Sequence, residues 1–160
     1  MIIRPAHPTD SPAIWAIIGP VIRAGETYAL PRDMSAQAAL AYWLNPDRET
    51  FVAEENGVCL GTYYLRANQQ GGGAHVANCG YITAATAQGK GVARAMCAHS
   101  LTTARARGFL AMQFNLVIST NTRAVRLWQE LGFATLCHLP QAFAHPTLGL
   151  VDALVMFQTL

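Results

Sequence analysis

The chain has 160 residues, 52% of them hydrophobic and 12% charged, with a formal net charge of +2 at pH 7. That length suits one domain with a full core, and the composition excludes a disordered segment. No apolar run approaches the ~20 residues of a membrane span, the basic residues are too sparse for nucleic acid, and Met1-Ile2-Ile3-Arg4-Pro5 is not a signal peptide.

In chain order, Ile2 to Pro5 reads as a first strand. Asp10 or Ser11 caps a helix whose apolar side is Ile14, Trp15, Ile17 and Ile18, with Pro12 in its first turn and Gly19-Pro20 interrupting it. A loop through Gly25-Glu26-Thr27-Tyr28 follows. Ser35 caps a second helix that runs to about Leu44 and is stopped by Asn45-Pro46. Thr50 to Glu54 and Val58 to Leu65 form a hairpin around Asn56-Gly57. Gln69-Gln70-Gly71-Gly72-Gly73 is a flexible connection to a strand from His75 to Thr83. A long helix from Val92 to Arg107 ends at Gly108, and Met112 to Ile118 is the next strand. Thr120 or Asn121 opens a helix ending at Leu131-Gly132, and Phe133 to Leu139 and Val151 to Phe157 are the last strands. The sum is a mixed α/β chain of about seven strands and four helices around one sheet, with no second domain.

Cys59, Cys79, Cys97 and Cys137 are widely spaced without a Cys-x-x-Cys pair. Most lie in apolar patterns, which favours small buried thiols over disulfides or zinc ligands and implies a reducing cytoplasm. No metal site is expected.

The most informative stretch is Gln88-Gly89-Lys90-Gly91-Val92-Ala93, between a strand and a helix. A glycine-rich turn that opens a helix aims several backbone N–H groups and the positive end of the helix dipole at one place, which suits a phosphate. Side chains at Gly89 and Gly91 would block close approach, and Lys90 and Arg94 add charge. From Asn56 to Gln129 there is no Asp or Glu, while that window holds Arg66, Lys90, Arg94, Arg105, Arg107, Arg123 and Arg126. Seven of the nine acids lie earlier. An acidic front and a basic middle suggest an anionic ligand on one side and a cationic one on the other.

Four features in order, the strand ending at Ile82-Thr83, the turn, Asn121, and Leu127-Trp128-Gln129-Glu130-Leu131-Gly132-Phe133, resemble the GNAT superfamily of acetyl-CoA-dependent N-acetyltransferases. Gln88, Gly91 and Ala93 satisfy that family's phosphate-turn pattern. A P-loop fails because Gly91 follows Lys90, and a dinucleotide fingerprint fails at Arg94.

The resemblance implies one domain over 1–160, with a central, mostly antiparallel sheet splayed between the fourth and fifth strands. It implies acetyl-CoA as cosubstrate between those strands. Backbone groups near Ile82 and Thr83 would pair with the pantetheine, and the N–H groups from Gly89 to Arg94 would take the pyrophosphate. Asn121 would hydrogen-bond the pantetheine arm or cap its helix. The implied reaction is direct acetyl transfer to a primary amine, expected to be a small and cationic molecule; an acyl-CoA-binding regulatory module is the alternative. A homodimer is left open.

The chain departs from the pattern where the family places its acid, a Tyr. Trp128 stands there, and an indole N–H is no acid at neutral pH; packing on the cofactor or the core is expected of it. The strand carboxylate that often serves as base is also missing. The base is then His75, Glu26 or a water chain, with Tyr28 or Tyr81 as a phenol. Asn68, Asn78 and Asn115 are read as bridges or acceptor contacts, Tyr63, Tyr64, Trp43 and Trp15 as core, and Phe143, His145 and Asp152 as cleft edge or hairpin cap.

Overall fold

The computed structural model describes residues 1–160. The elements run β1 (Ile2–Pro5), α1 (Ser11–Ala24), α2 (Ala36–Trp43), β2 (Glu49–Glu55), β3 (Val58–Ala67), β4 (Val76–Thr83), α3 (Val92–Ala106), β5 (Ala111–Ile118), α4 (Thr122–Glu130), β6 (Ala134–His145) and β7 (Gly149–Thr159). All seven strands form one sheet in the order β1-β2-β3-β4-β5-β7-β6. Only the central β4–β5 pair is parallel, as the splayed, mostly antiparallel architecture requires.

The strands sort their side chains by period two. Val52, Tyr64 and Ile82 join Ile14, Ile17, Ile18, Ile22, Ala39 and Trp43 in a core under α1 and α2. Phe51, Ala53, Tyr63, Leu65, Ala77 and Cys79 join Val92, Met96, Cys97, Leu101 and Trp128 in a core under α3 and α4. The helices therefore cover both faces of the sheet. A buried polar pair under α2 is satisfied: Trp43 Nε1 donates to Thr62 Oγ1 at 3.0 Å, and that hydroxyl donates to Phe51 O at 2.9 Å.

The expected break at Gly19-Pro20 does not occur. α1 passes through Pro20 and ends only at Gly25, whose φ is 68°. An interior proline costs a helix about 3 kcal/mol. Ile18 and Ile22 straddle it and are 0% and 1% exposed, and burying each contributes about 1.5–3 kcal/mol, so packing outweighs the lost backbone bond. The second helix starts as expected, with Ser35 Oγ accepting from Ala38 N at 3.1 Å. Asn56 and Gly57 both take positive φ, 51° and 77°, the signature of a type I′ hairpin turn. At the C-terminus Asp152 Oδ1 accepts from Gln141 N, and His145 Nδ1 from the N–H groups of Thr147 and Leu148. Asp152 and His145 thus brace one long hairpin and do not line a cleft.

Candidate active site

β4 and β5 pair only at Val76 with Ala111 and at Ala77 with Met112. Beyond that the strands diverge, and the gap opens into a cleft of about 660 Å³. Asn78 stands at the fork, and its Nδ2 donates across the gap to Gln113 O at 2.9 Å. On the far side a bulge between Phe114 and Val117 releases Asn115 and Leu116 from the ladder with β7, and both line the cleft.

The backbone of β4 presents its groups to the gap in alternation. Val76 O accepts from Asn68 N, and Ala84 N donates to Leu60 O. The β3–β4 ladder between them has no bulge, so even-numbered residues of β4 bond to β3 and odd-numbered ones turn N–H and C=O toward the gap. Thr83, Tyr81 and Cys79 therefore face the cleft. Ile82, expected to offer backbone groups, spends them on Thr62 and contributes only its side chain. One exposed acceptor is already covered: the Tyr28 hydroxyl donates to Tyr81 O at 3.0 Å, tying the loop after α1 to the strand.

The glycine turn forms the other end of the cleft. Gly89 and Gly91 have φ of 76° and 77°, and a Cβ on either would stand in open space. The N–H groups of Gly89, Gly91, Val92, Ala93 and Arg94 donate to no backbone or side-chain acceptor, and the first helical bond is Ala95 N to Gly91 O. Five unpaired donors at a helix N-terminus form an anion cradle, into which the diphosphate of a coenzyme A fits. Gln88, Val92, Ala93 and Arg94 also line the cleft. Lys90 does not, and the Arg94 side chain is held by Glu130, so Arg94 contributes chiefly its backbone. Asn121 lines the cleft while its Oδ1 accepts from Ala124 N at 3.4 Å, so the cap and the cleft position coincide. Trp128 also lines the cleft and packs on Tyr81 and Phe114, with ring centroids 5.1 and 5.4 Å apart.

No Asp, Glu or His lines the cleft; its charged groups are Arg66, Arg94 and Arg123. His75 precedes β4 at the end away from Thr83, with its Nδ1 on Gly72 O at 3.1 Å, and Glu26 does not reach the lining. Neither stands in the cleft, where a base for the expected reaction would have to reach. Five of the seven front-half acids are engaged with the chain's own cations. Asp10 and Glu54 hold Arg4, Glu49 holds Arg107, Glu55 holds the N-terminus, and Asp47 holds Arg48. The titratable groups that remain are phenols and the Cys79 thiol, which burial pushes up to about 12. Burial holds Tyr28 and Tyr81 well above the usual tyrosine range; Tyr81 is further engaged with Ser100 Oγ at 2.7 Å. Both are neutral hydrogen-bonding groups.

Tyr42, Tyr64 and Arg66 line the cleft and were not read as site residues from the sequence. Tyr64 is 5% exposed, so its core assignment holds, yet its ring also lies over Gly80. A Cβ on Gly80 would stand 2.7 Å from that ring, so only glycine there lets the phenol lie across β4. The readable hint was the alternation Thr62, Tyr64, Arg66 on one face of the strand; what it faced depended on the pairing with β4.

Comparison with known proteins agrees with this geometry. Residues 20–133 match the Acetyltransferase (GNAT) family. A GCN5-related N-acetyltransferase from Kribbella flavida is 41% identical and superposes with a TM-score of 0.95 over 99% of this chain and 97% of that one. A Salmonella typhimurium protein, described as an acetyltransferase and solved with its cofactor acetyl-CoA, is 25% identical with a TM-score of 0.87 over 100% of this chain and 94% of that one. Among curated proteins, the N-acetyltransferase aca1 of Schizosaccharomyces pombe is 33% identical over 88 residues, which make up 55% of this chain and 42% of that protein.

Proposed function

The chain belongs to the acetyltransferase (GNAT) family, and on that premise we propose that it transfers the acetyl group of acetyl-CoA to the amine of a small molecule. The observation that carries the reading is the turn: the five unpaired N–H groups from Gly89 to Arg94 at the mouth of the β4–β5 gap. The Salmonella relative that holds acetyl-CoA supports the same cosubstrate here. The whole of residues 1–160 serves as one catalytic domain. The four unpaired cysteines support a reducing compartment, and the cytoplasm is the proposed location.

Acetyl-CoA supplies an acyl thioester. The chain's part is to orient it and to receive the amine. The cradle holds the diphosphate, and the N–H groups of Tyr81 and Thr83 face the gap where charge develops on a carbonyl oxygen. The amine nitrogen forms the new C–N bond, the C–S bond breaks, and the amine's proton passes to solvent. An alkyl amine with a pKa of ~10 costs about 4 kcal/mol to deprotonate at neutral pH. The cleft has no carboxylate or imidazole to share that cost, so the free amine comes from solution and water carries the proton. Asn78, whose amide bridges the fork, and Asn115 are the polar side chains beside it.

The missing acid and base give one reason to keep a second reading, an acyl-CoA-binding regulatory module. Calorimetric titration with acetyl-CoA followed by a screen of amines for free-thiol release separates the two. We expect binding with turnover of at least one amine. Binding with no thiol release above the hydrolysis background on a broad panel overturns the enzymatic reading, and no binding overturns both.

A further inference from the structure

Arg66 is an incompletely paired charged group that lines the cleft. It sits on β3 directly opposite Asn78 of β4, so the two side chains leave the same face of the sheet as neighbours, ~5 Å apart at Cβ. The Arg66 side chain is only 29% exposed, and its one acidic neighbour, Asp47, lies 3.6 Å from Nη1, beyond hydrogen-bond reach. Its Nε is buried with no acceptor, and so is Nη1 of Arg48. Arg48 lies over the rings of Tyr42 and Tyr64, 4.0 and 4.6 Å from their centroids, and its Nε takes Asp47 at 3.0 Å. Two covered guanidiniums thus share one carboxylate, which lies outside the cleft, and no acid lines the cleft itself. A covered charge without its full set of acceptors is costly, and this cluster is one anion short on the side that opens to the ligand.

We propose that Arg66 receives a carboxylate of the acceptor, so that the acceptor is an amino-acid-like zwitterion and not a simple alkylamine or a polyamine. This rests on the acetyl-transfer reading above for the amine half of the molecule. A planar guanidinium binds a carboxylate through paired N–H···O bonds. A carboxylate held there brings the neighbouring amine to the Asn78 side chain at the fork, and the Tyr42 and Tyr64 rings wall the acceptor's remaining side chain. The same charge pattern repels a polyamine.

The test compares free amino acids with their amides: L-phenylalanine, L-leucine and L-alanine against L-phenylalaninamide, L-leucinamide and L-alaninamide, by thiol release at pH 8. The amides have the less basic amine, so chemistry alone favours them. We expect the free acids to win by about 10–100-fold in kcat/KM, through KM, and Arg66→Gln to erase that preference with acetyl-CoA affinity unchanged. Asp47→Asn, a change at an exposed side chain, removes the competing acid and should lower KM for the free acids. A second arm needs no turnover: binding of N-acetyl-L-phenylalanine and N-acetyl-L-phenylalaninamide to the CoA-loaded protein, where the acid should bind more tightly in the wild type but not in Arg66→Gln. Equal or better use of the amides, or equal binding of the two N-acetyl compounds, overturns the inference. Carboxylate-dependent binding with no thiol release on any amine leaves it standing and overturns acetyl transfer instead.

Discussion

The two ends of the cleft are built on different principles. At the phosphate end the ligand-facing groups are five backbone N–H groups between Gly89 and Arg94. At the acceptor end they are side chains, Tyr28, Tyr42, Tyr64, Arg66, Asn78 and Asn115, brought from a loop, a helix and three strands. A backbone cradle depends on dihedral angles and on an absence of side chains, so it is local and tolerant of what flanks it. A side-chain site depends on register, and a one-residue slip between β3 and β4 would turn Arg66 and Asn78 away from each other. The first end is suited to a constant cosubstrate, and the second to a variable acceptor.

The largest effect should come from breaking the cradle. Gly91→Glu places a side chain where φ is 77° and a carboxylate where the phosphates sit. We expect acetyl-CoA affinity to fall by more than about 100-fold by calorimetry, since several charge-assisted bonds of about 1.5–3 kcal/mol each are lost. Gly91→Ala separates the two causes. It costs about 1 kcal/mol of stability for the left-handed backbone and about tenfold in affinity. Wild-type affinity in Gly91→Glu would mean that the phosphates sit elsewhere.

Changes at the other end should spare the cofactor. Asn78→Ala removes the bridge to Gln113 O and lowers stability by about 1 kcal/mol. Turnover should drop about tenfold or more, while acetyl-CoA affinity stays within about twofold. An equal loss in both would show that the fork serves the cofactor and that the two ends are not separate. Tyr28→Phe is milder. It unties the loop from Tyr81 O, worth about 1 kcal/mol, or about fivefold, in KM for the acceptor. An effect on the acetyl-CoA constant alone would move Tyr28 to the other end of the comparison.

The same contrast explains what the sequence disclosed. The turn and the cap at Asn121 were legible because each is written in neighbouring residues; the splay between β4 and β5 came only with the family resemblance, and the sheet of seven strands agreed with it. Lys90 is absent from the cleft lining, because charge beside a turn does not say which side of it the side chain takes. His75 could not be placed from the sequence because a strand has two ends, and only the splay tells which one opens into the cleft. Arg66 was seen only as part of a basic stretch. Its meaning needed Asn78 across the ladder and Asp47 spent on Arg48, neither of them near it in sequence.

The smallest expected effect is none at all, and it is the most exacting for the acceptor end. With no carboxylate or imidazole lining the cleft, and with burial raising the Tyr28 and Tyr81 phenols and pushing the Cys79 thiol up to about 12, the cleft supplies no base near neutral pH. The logarithm of kcat/KM should rise with unit slope toward the amine's own pKa, following the free-amine fraction alone. An inflection near 6.5 would reveal a base that the geometry lacks. His99 must be kept apart from this. It bonds Tyr63 through Nδ1 at 2.7 Å on the α3 face, and burial lowers its pKa. A lowered histidine pKa stabilises the fold above the unfolded value of ~6.5, and that contribution is lost as pH falls below it. Its signature is therefore a drop in melting temperature on acidification, while the rate of the folded enzyme keeps its slope. His99→Gln should flatten the stability profile and leave the rate profile unchanged; a change in the rate profile would mean that the far face of the sheet reaches the chemistry after all.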